Sequence, residues 1–282
     1  MTFKNIITDL KSLPPLSNTP YMIQQIYSVG TQNIDILQLV KVIEKDAVLA
    51  ANILKMINAP IYGFSRKIAS ISQAVTLFGT DEIYGLVLRY AVEEQLKADT
   101  SIYGVDTRGF NDVCHLQNSL MLQWYSTVDL RHAQFMAPLA LIMESGKLVL
   151  ANEVMKSSYI KKFTLGYKNS KNIEKFEHDI LGTTTYYLSA VLFEHWNLEP
   201  LYVDILKGLD FELDVSEKMN AYIDSLDVVR VAVNLKDVLT HDSIYEACGI
   251  VEDMGLDPDH FTKIARRVRE QYNKVLINRM KK

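Results

Sequence analysis

Apolar residues recur along this chain at the three- and four-residue spacing of a helix, and no segment alternates as a half-buried strand does. The most clearly bounded part is Glu44–Leu88, which reads as helix, loop and helix. Asp46 is placed to cap a helix over Ala47–Ile57, because its carboxylate can accept free amide hydrogens of the first turn. Pro60 then ends that helix, since proline has no amide hydrogen to donate.

The second half of this stretch has its own boundaries. Ser70 can cap a short helix over Ile71–Phe78. Gly79 suits the left-handed conformation that closes a helix, and a further helix is predicted over Asp81–Leu96.

The rest of the chain follows the same helical pattern. Lys156–Glu177 is polar and rich in lysine, and we predict a mobile connection there. Three helices are predicted to end the chain, over Val215–Leu239, Ser243–Met254 and Asp259–Met280. Asp257 is the expected cap of the last one. These patterns together predict an all-α protein.

The composition is that of an ordinary globular protein, with 48% hydrophobic and 23% charged residues among 282. Cys114 and Cys248 lie far apart, which disfavours a disulfide framework or a structural zinc site and suits a reducing cytoplasm. The first residues lack the apolar segment of a signal peptide. We expect no membrane span, because no apolar run approaches the roughly 20 residues required. The predicted location is therefore cytoplasmic.

The net charge of −4 argues against a general nucleic-acid coat protein. The last predicted helix nevertheless has a basic face, formed by Lys263, Arg266, Arg267, Arg269, Lys274, Arg279, Lys281 and Lys282. Aromatic residues do not alternate with these cations as they do in many nucleic-acid sites. A solvated helix face is the simpler interpretation, and nucleic-acid binding is not expected.

Several motifs in a fixed order resemble the HDOD domain family, a non-catalytic branch of the HD phosphohydrolase superfamily. They are LPPL at 13–16, KDAVLAANILKMINAPIYG at 45–63, IASISQAVTLFG at 68–79, LIMESGKLVL at 141–150 and GTTTYYLSAVLFEHWNLEP at 182–200. The resemblance implies a multi-helix HD-superfamily-like domain over residues 1–209. Residues 210–282 would then form a C-terminal helical extension packed on it.

HD phosphohydrolases hold divalent metals with histidines and a His-Asp pair, because imidazole and carboxylate groups position metals that activate water. At the corresponding positions the resemblance places Asn118, the pair Met143-Glu144 and Thr185. Three of these side chains cannot replace an imidazole, and one carboxylate does not make a catalytic metal centre. The resemblance therefore implies a protein that is not an enzyme and that needs no metal or other cofactor.

Two literal His-Asp pairs, His178-Asp179 and His241-Asp242, do not follow an apolar helix that would carry them into a core. They are more simply exposed or capping residues than metal ligands. The chain also lacks a phosphate-binding P-loop, a dinucleotide fingerprint and a nucleophile elbow.

Two functions remain. The favoured hypothesis is a regulatory protein that acts through protein–protein interaction in a bacterial signalling pathway, such as motility or second-messenger control. Its expected partner surface consists of Tyr62, Gly63, Phe64, Arg66 and Lys67, since exposed aromatic residues and arginine often anchor interfaces. The alternative for this loop is that Tyr62 and Phe64 turn inward and close the core.

The second hypothesis is a ligand sensor that binds a nucleotide or phosphate in the vestigial HD pocket. That pocket would be lined by Asn118, Met143, Glu144, Lys147 and Thr185. Lys147 would supply charge, and the hydroxyl and amide groups would supply hydrogen bonds. The alternative is a pocket that has collapsed around Met143, whose flexible side chain fills irregular space well.

Overall fold

Helices joined by short connections make up the protein, in a computed structural model that describes residues 3–28, 34–62, 64, 66–210 and 219–281. The helices are α1 Phe3–Lys11, α2 Asn18–Tyr27, α3 Ile36–Lys45, α4 Ala47–Ile57, α5 Ile71–Gln95, α6 Thr107–Tyr125, α7 Leu130–Ile142, α8 Ser145–Met155, α9 Ile160–Asn169, α10 Ile173–Leu181, α11 Thr185–His195, α12 Pro200–Gly208, α13 Asn220–Ala232, α14 His241–Asp253 and α15 Pro258–Met280. Short 3-10 turns cover Pro60–Tyr62 and Thr100–Tyr103. The all-α prediction is confirmed. Gly63 and the predicted helix start at Val215 lie outside the described residues.

The predicted helix caps explain why these segments begin where they do. The Asp46 carboxylate accepts a hydrogen bond of 3.0 Å from the Leu49 amide at the start of α4. The Ser70 hydroxyl accepts one from Gln73 at the start of α5, and Asp257 caps α15 through the amides of Asp259 and His260. Each cap satisfies amide hydrogens that a helix leaves without an internal partner.

The two helices predicted on either side of Gly79 form one element, α5, with a kink at the glycine. Gly79 has φ +82° and ψ 169°, a conformation that is open to glycine and strained for other residues. The positive φ predicted for Gly79 is thus present, and the backbone there is non-helical, so α5 consists of two helical segments that meet at the kink.

The prediction of a mobile connection over Lys156–Glu177 is wrong, because this segment forms α9 and most of α10. Phe163 and Tyr167 on α9 are buried, and the ring centroids of Phe163 and Phe176 lie 5.3 Å apart. Apolar side chains at helical spacing therefore outweigh the many lysines, which remain on the exposed faces of both helices.

Helices α7 and α8 lie at the centre of the core, and most of their residues are buried. Together they make Leu130–Met155 a 26-residue stretch that is long and apolar enough to cross a membrane, contrary to the expectation that no such run exists. However, 89% of its most apolar window is buried inside the protein. That burial is typical of a core helix, so the stretch is weak evidence for a membrane span.

The three C-terminal helices pack on the earlier ones. The rings of Trp124 on α6 and Phe261 on α15 lie 5.0 Å apart. Arg279 near the end of α15 makes two hydrogen bonds to the carboxylate of Asp112 on α6, one of them 3.0 Å long. Buried side chains of α13, α14 and α15 belong to the same hydrophobic cluster as those of the other helices. The division at residues 209 and 210 stays a prediction.

Candidate functional site

The turn between α7 and α8 packs closely against the first turns of α11. The Ser189 hydroxyl accepts a hydrogen bond of 2.7 Å from the Gly146 amide and donates one of 2.7 Å to the Met143 carbonyl. A Cβ atom on Gly146 would lie 2.0 Å from the carbonyl oxygen of Thr185, which is far inside van der Waals contact. Glycine is therefore required here for the two helices to approach, and this approach brings the predicted site residues together.

Lys147 is the centre of a buried ionic network. Its Nζ lies 2.8 Å from Oε2 of Glu144 and donates a hydrogen bond of 3.2 Å to the Thr185 hydroxyl. Thr185 in turn donates through its amide and its hydroxyl to the two carboxylate oxygens of Glu177, at 2.7 and 2.8 Å. All four side chains are buried, with Lys147 the most exposed at 4%.

The charges in this network stabilise one another. Burial by itself would lower the pKa of Lys147, but Glu144 and Glu177 hold that pKa well above its usual value. Burial raises the pKa of Glu177 to about 7, against the opposing effects of Lys147 and of the Thr185 hydrogen bonds. The lysine ammonium is therefore charged at neutral pH and supplies the positive charge between the two carboxylates.

Asn118 belongs to a separate group of side chains. Its Nδ2 donates hydrogen bonds to Oε2 of Glu82 at 3.1 Å and to the Ala137 carbonyl at 3.0 Å. The neighbouring Gln117 is the residue that reaches the network, with hydrogen bonds of 2.9 Å to Glu144 and to the Val233 carbonyl. Burial raises the pKa of Glu82 to about 7. The predicted pocket is thus divided between two buried polar groups.

The donor set around Glu144 does not fit a divalent metal ion. Metal sites of the HD type use several imidazoles and carboxylates, whereas an ammonium group lies within 2.8 Å of the Glu144 carboxylate. Among the described residues no group of three or more His, Cys, Asp or Glu side chains is arranged to hold a metal ion. A cation placed here would have to displace Lys147 from both of its acidic neighbours.

A cleft of about 470 Å³ opens beside the network. It lies between helices α8 to α11 on one side and helices α13 and α14 on the other. Lys147 and Tyr186 form part of its wall, and the Tyr186 ring centroid lies 5.5 Å from Lys147 Nζ and 5.1 Å from the Arg230 guanidinium. Arg230 is ion-paired with Glu174 and Asp227. Further wall residues include Tyr167, Lys171, Asn172, Asn234, Lys236, Asp237, Asp242 and Glu246. The cleft is polar and carries charges of both signs.

The predicted partner loop is partly inward and partly exposed. The Tyr62 hydroxyl lies 2.9 Å from Nδ1 of His115, and burial raises the pKa of Tyr62 well above its usual value. Phe64 remains 46% exposed, with its ring 5.2 Å from that of Phe78, and Arg66 and Lys67 are exposed. Tyr62 therefore follows the alternative in which the side chain turns inward, while its neighbours remain on the surface.

Neither His-Asp dipeptide belongs to the buried ionic network, although Asp242 lies on the wall of the cleft. His241 and Asp242 start α14, and their side chains are 82% and 103% exposed. His178 is a half-buried residue of α10, and its carbonyl accepts the hydrogen bond that closes the helix at Gly182.

Sequence reasoning missed Glu177, Tyr186 and Arg230. Glu177 was overlooked because its segment was predicted to be a connection. A usable pattern does exist there, since Ile173, Phe176 and Ile180 recur at helical spacing and Glu177 shares their inward face. Arg230 offers no such pattern, because it reaches the cleft from a helix distant in sequence.

Comparison with known proteins matches residues 13–208 to the HDOD domain family. A structure from Shewanella amazonensis SB2B, provisionally named a phosphohydrolase, has a TM-score of 0.71 at 16% identity over 94% of both chains. An HDOD domain protein of unknown function from Geobacter sulfurreducens has a TM-score of 0.67 at 15% identity, covering 97% of this chain and 94% of that one. No curated protein matches.

A provisionally named signal transduction protein from Marinobacter aquaeolei VT8 has a TM-score of 0.71 at 20% identity. The match covers 95% of this chain and 59% of that chain. At such identities these structures establish the fold and leave the function open.

Proposed function

Because the chain belongs to the HDOD domain family, we propose that it is a non-enzymatic regulatory protein that binds a protein partner in a bacterial signalling pathway. A cytoplasmic location and a role in motility or second-messenger control are part of this proposal. One solved structure of the same fold, from Marinobacter aquaeolei VT8, is provisionally named a signal transduction protein, which supports the signalling role.

The observation that carries the proposal is the position of the Lys147 ammonium. It lies 2.8 Å from the Glu144 carboxylate and is linked through Thr185 to Glu177. In this proposal metal ligands are replaced at Asn118, Met143, Glu144 and Thr185, and two of these residues, Glu144 and Thr185, form the closed arrangement with Lys147. A protein that has exchanged a metal centre for a structural ion pair acts through its surfaces.

The absence of catalysis has a direct test. Purified protein should contain less than stoichiometric metal and should show no phosphodiesterase or nucleotidase turnover with added divalent metals. Stoichiometric metal together with turnover that is lost in Glu144→Gln would overturn the proposal.

The exposed part of the loop, Phe64, Arg66 and Lys67, is the proposed partner surface. Affinity purification from the native host, with quantitative mass spectrometry, should compare the wild type with Phe64→Ala/Arg66→Glu. The matched control is Leu165→Ala on α9, which also truncates an exposed apolar side chain. We expect a partner that is lost from the loop variant and retained by the control.

Two results would contradict this assignment. If no protein is enriched above an unrelated bait, the adaptor role fails. If a partner is enriched equally by all three proteins, the adaptor role stands and the loop is not its surface.

A second candidate function, sensing of a nucleotide or phosphate ligand, is favoured by the 470 Å³ cleft beside Lys147. Lys147, Glu144 and Thr185 are packed against one another, so a ligand would bind in the cleft and contact the network at Lys147. Lys171 and Lys236 are further cations on its wall, and Tyr167 and Tyr186 offer aromatic surface.

Thermal shift against cyclic dinucleotides, alarmones and inorganic phosphate tests the sensor. Lys171→Ala is the more informative variant, because Lys147→Ala would also leave the buried carboxylates of Glu144 and Glu177 without their cation. A ligand-dependent rise in melting temperature that is lost in Lys171→Ala and kept in Lys162→Ala would support sensing. A rise that survives in both variants would place the ligand elsewhere.

A further inference from the structure

Arg89 on α5 is a buried cation that the proposed function does not use. Only 1% of the surface of Arg89 is exposed. The Nε atom donates a hydrogen bond of 3.0 Å to the Glu93 carboxylate, and Nη2 donates to the Asn111 side-chain oxygen. The guanidinium carbon also lies 5.4 Å from the centroid of the Phe110 ring. Arg89 is thus held firmly by three neighbours.

One nitrogen of this guanidinium lacks a hydrogen-bond acceptor. Nη1 is buried and has no hydrogen-bond partner among the described residues. Arginine remains charged in proteins, so it cannot relieve the deficit by losing a proton. A buried donor without an acceptor is costly, and such a group in a native protein calls for an explanation, often a bound water or ion.

A cleft of about 290 Å³ adjoins Arg89. Its apolar wall is formed by Leu96, Phe110 and Leu148, which are all nearly buried. Its polar wall consists of Arg89, Glu93, Lys97, Thr100, Thr107 and Asn111. This volume is at the lower end of the range of small-molecule sites, which commonly combine apolar walls with a few polar anchors.

The charges in the cleft favour a single negative charge. Arg89 and Lys97 contribute two positive charges, and Glu93 contributes one negative charge. The net charge of the lining is therefore +1. A monoanion balances it, whereas a dianion such as phosphate would place an extra negative charge near Glu93 and gain nothing from the apolar wall.

We propose that the Arg89 cleft binds a small monocarboxylate with an apolar body. The carboxylate accepts from the Arg89 guanidinium and is balanced by Lys97 at the exposed rim, while the apolar part packs against Phe110 and Leu148. Glu93 keeps its hydrogen bond to Nε, and the lining charge stays at +1; because Nη1 is covered in this structure, the ligand reaches it through a small movement of the cleft wall. This site is separate from the Lys147 cleft and does not depend on the proposed signalling role.

The test is ligand titration of the full chain by NMR, with hexanoate and benzoate as probes and hexanamide and benzamide as matched neutral controls. Ala98 also lines the cleft. The acids should shift the signals of the Phe110 ring and the Ala98 methyl group, with Kd near 1 mM or tighter, on the order expected for small ligands. The amides should bind at least about tenfold more weakly, because a charged hydrogen bond is roughly twice as strong as a neutral one.

Variants locate the site without relying on a change at the buried arginine. Thr107→Trp at the exposed edge of the cleft should block the acids. Thr76→Trp, at an exposed threonine elsewhere on α5, should leave binding unchanged. Lys97→Met should weaken the acids about two- to fivefold, as expected for one exposed charge.

Three outcomes would overturn the proposal. They are equal binding of acids and amides, binding that Thr107→Trp does not reduce, and no shift at about ten times the expected Kd. Binding of inorganic phosphate without binding of either carboxylate would also reject it, since the apolar wall would then have no role.

Discussion

Among the described residues, Lys147 and Arg89 are buried cations in one helical core, and their surroundings differ. Lys147 is matched to Glu144 and linked through Thr185 to Glu177, so its ammonium is balanced by groups of the chain itself. Arg89 has one carboxylate partner, Glu93, and one guanidinium nitrogen without an acceptor. The Lys147 ammonium therefore has its partners within the chain, whereas one nitrogen of the Arg89 guanidinium has none among the described residues.

This difference shows that burial of a charge does not by itself indicate function. A buried ion pair is costly to break, because removal of one partner leaves an uncompensated charge in the core. An unmatched donor beside a cleft leaves free energy that a ligand can recover. The family motifs therefore contain Lys147, the cation that is balanced within the chain. Arg89, whose Nη1 has no acceptor, lies outside these motifs.

The largest expected effect breaks the closed arrangement. Lys147→Met should lower the free energy of unfolding by about 3–5 kcal/mol, because Glu144 and Glu177 stay buried without their cation. Urea unfolding followed by circular dichroism measures the change. The double variant Lys147→Met/Glu144→Gln should recover part of the loss, since one uncompensated charge is removed.

The matched control is Lys156→Met, which removes a lysine that is 66% exposed and paired with Glu153. Its cost should be about 0–1 kcal/mol, as for other surface ion pairs. A loss in Lys147→Met that is no larger than this would mean that the network is not closed, and the contrast with Arg89 would fail.

A smaller effect is expected from the packing that brings the network together. Gly146→Ala should destabilise by about 1–3 kcal/mol, because the new methyl group would meet the Thr185 carbonyl and must push α8 from α11. Gly249→Ala in α14, where nothing lies within 4 Å of a Cβ, should instead stabilise by about 0.5–1 kcal/mol. Thermal unfolding of both variants measures the two changes in stability. Equal effects of the same sign would show that the close approach at Gly146 is not required.

The last expected effect depends on pH and concerns Glu82, a buried carboxylate whose described partner is the neutral amide of Asn118. Its pKa in the folded protein is about 7, above the ordinary value of 4.5, chiefly because of burial. The folded state therefore binds this proton more tightly than the unfolded state does. Its contribution to stability is present below pH 4.5 and falls as pH rises to about 7, by at most about 1.4 kcal/mol per pH unit.

Glu82→Gln removes this contribution. The difference between the unfolding free energies of wild type and variant should change across the window from pH 4.5 to 7 and stay constant outside it. Glu252→Gln, at an exposed glutamate of α14, should give a constant difference throughout. A flat difference for Glu82→Gln would show that Glu82 is charged in the folded protein at these pH values.

Much of the helical organisation could be predicted because its causes are local. Asp46, Ser70 and Asp257 cap helices that begin within a residue or two of the predicted positions. The family resemblance, carried by ordered motifs, identified the domain that the comparisons support. The failure over Lys156–Glu177 arose because the lysine content was given more weight than the apolar spacing of Phe163, Tyr167 and Phe176.

The candidate site was predictable only in part. The sequence brought Glu144, Lys147 and Thr185 into one hypothesis, and these three do lie together. It also grouped Asn118 with them, although the Asn118 amide points to Glu82 and Gln117 makes the bond to Glu144. Asn118 was placed there by the family resemblance, which aligns positions along the chain, whereas adjacent residues on a helix point about 100° apart, so only the structure shows which of the two faces Glu144.

The sequence by itself determined the helices, their caps and the family, since these depend on neighbouring residues and ordered motifs. Only the tertiary structure decided which charges are balanced. Glu177 reaches Thr185 from α10, Arg230 reaches Tyr186 from α13, and the unpaired Nη1 of Arg89 follows from what α6 and α8 place around it. Electrostatic interactions depend on separation in space and on burial, and residues far apart in the chain set both.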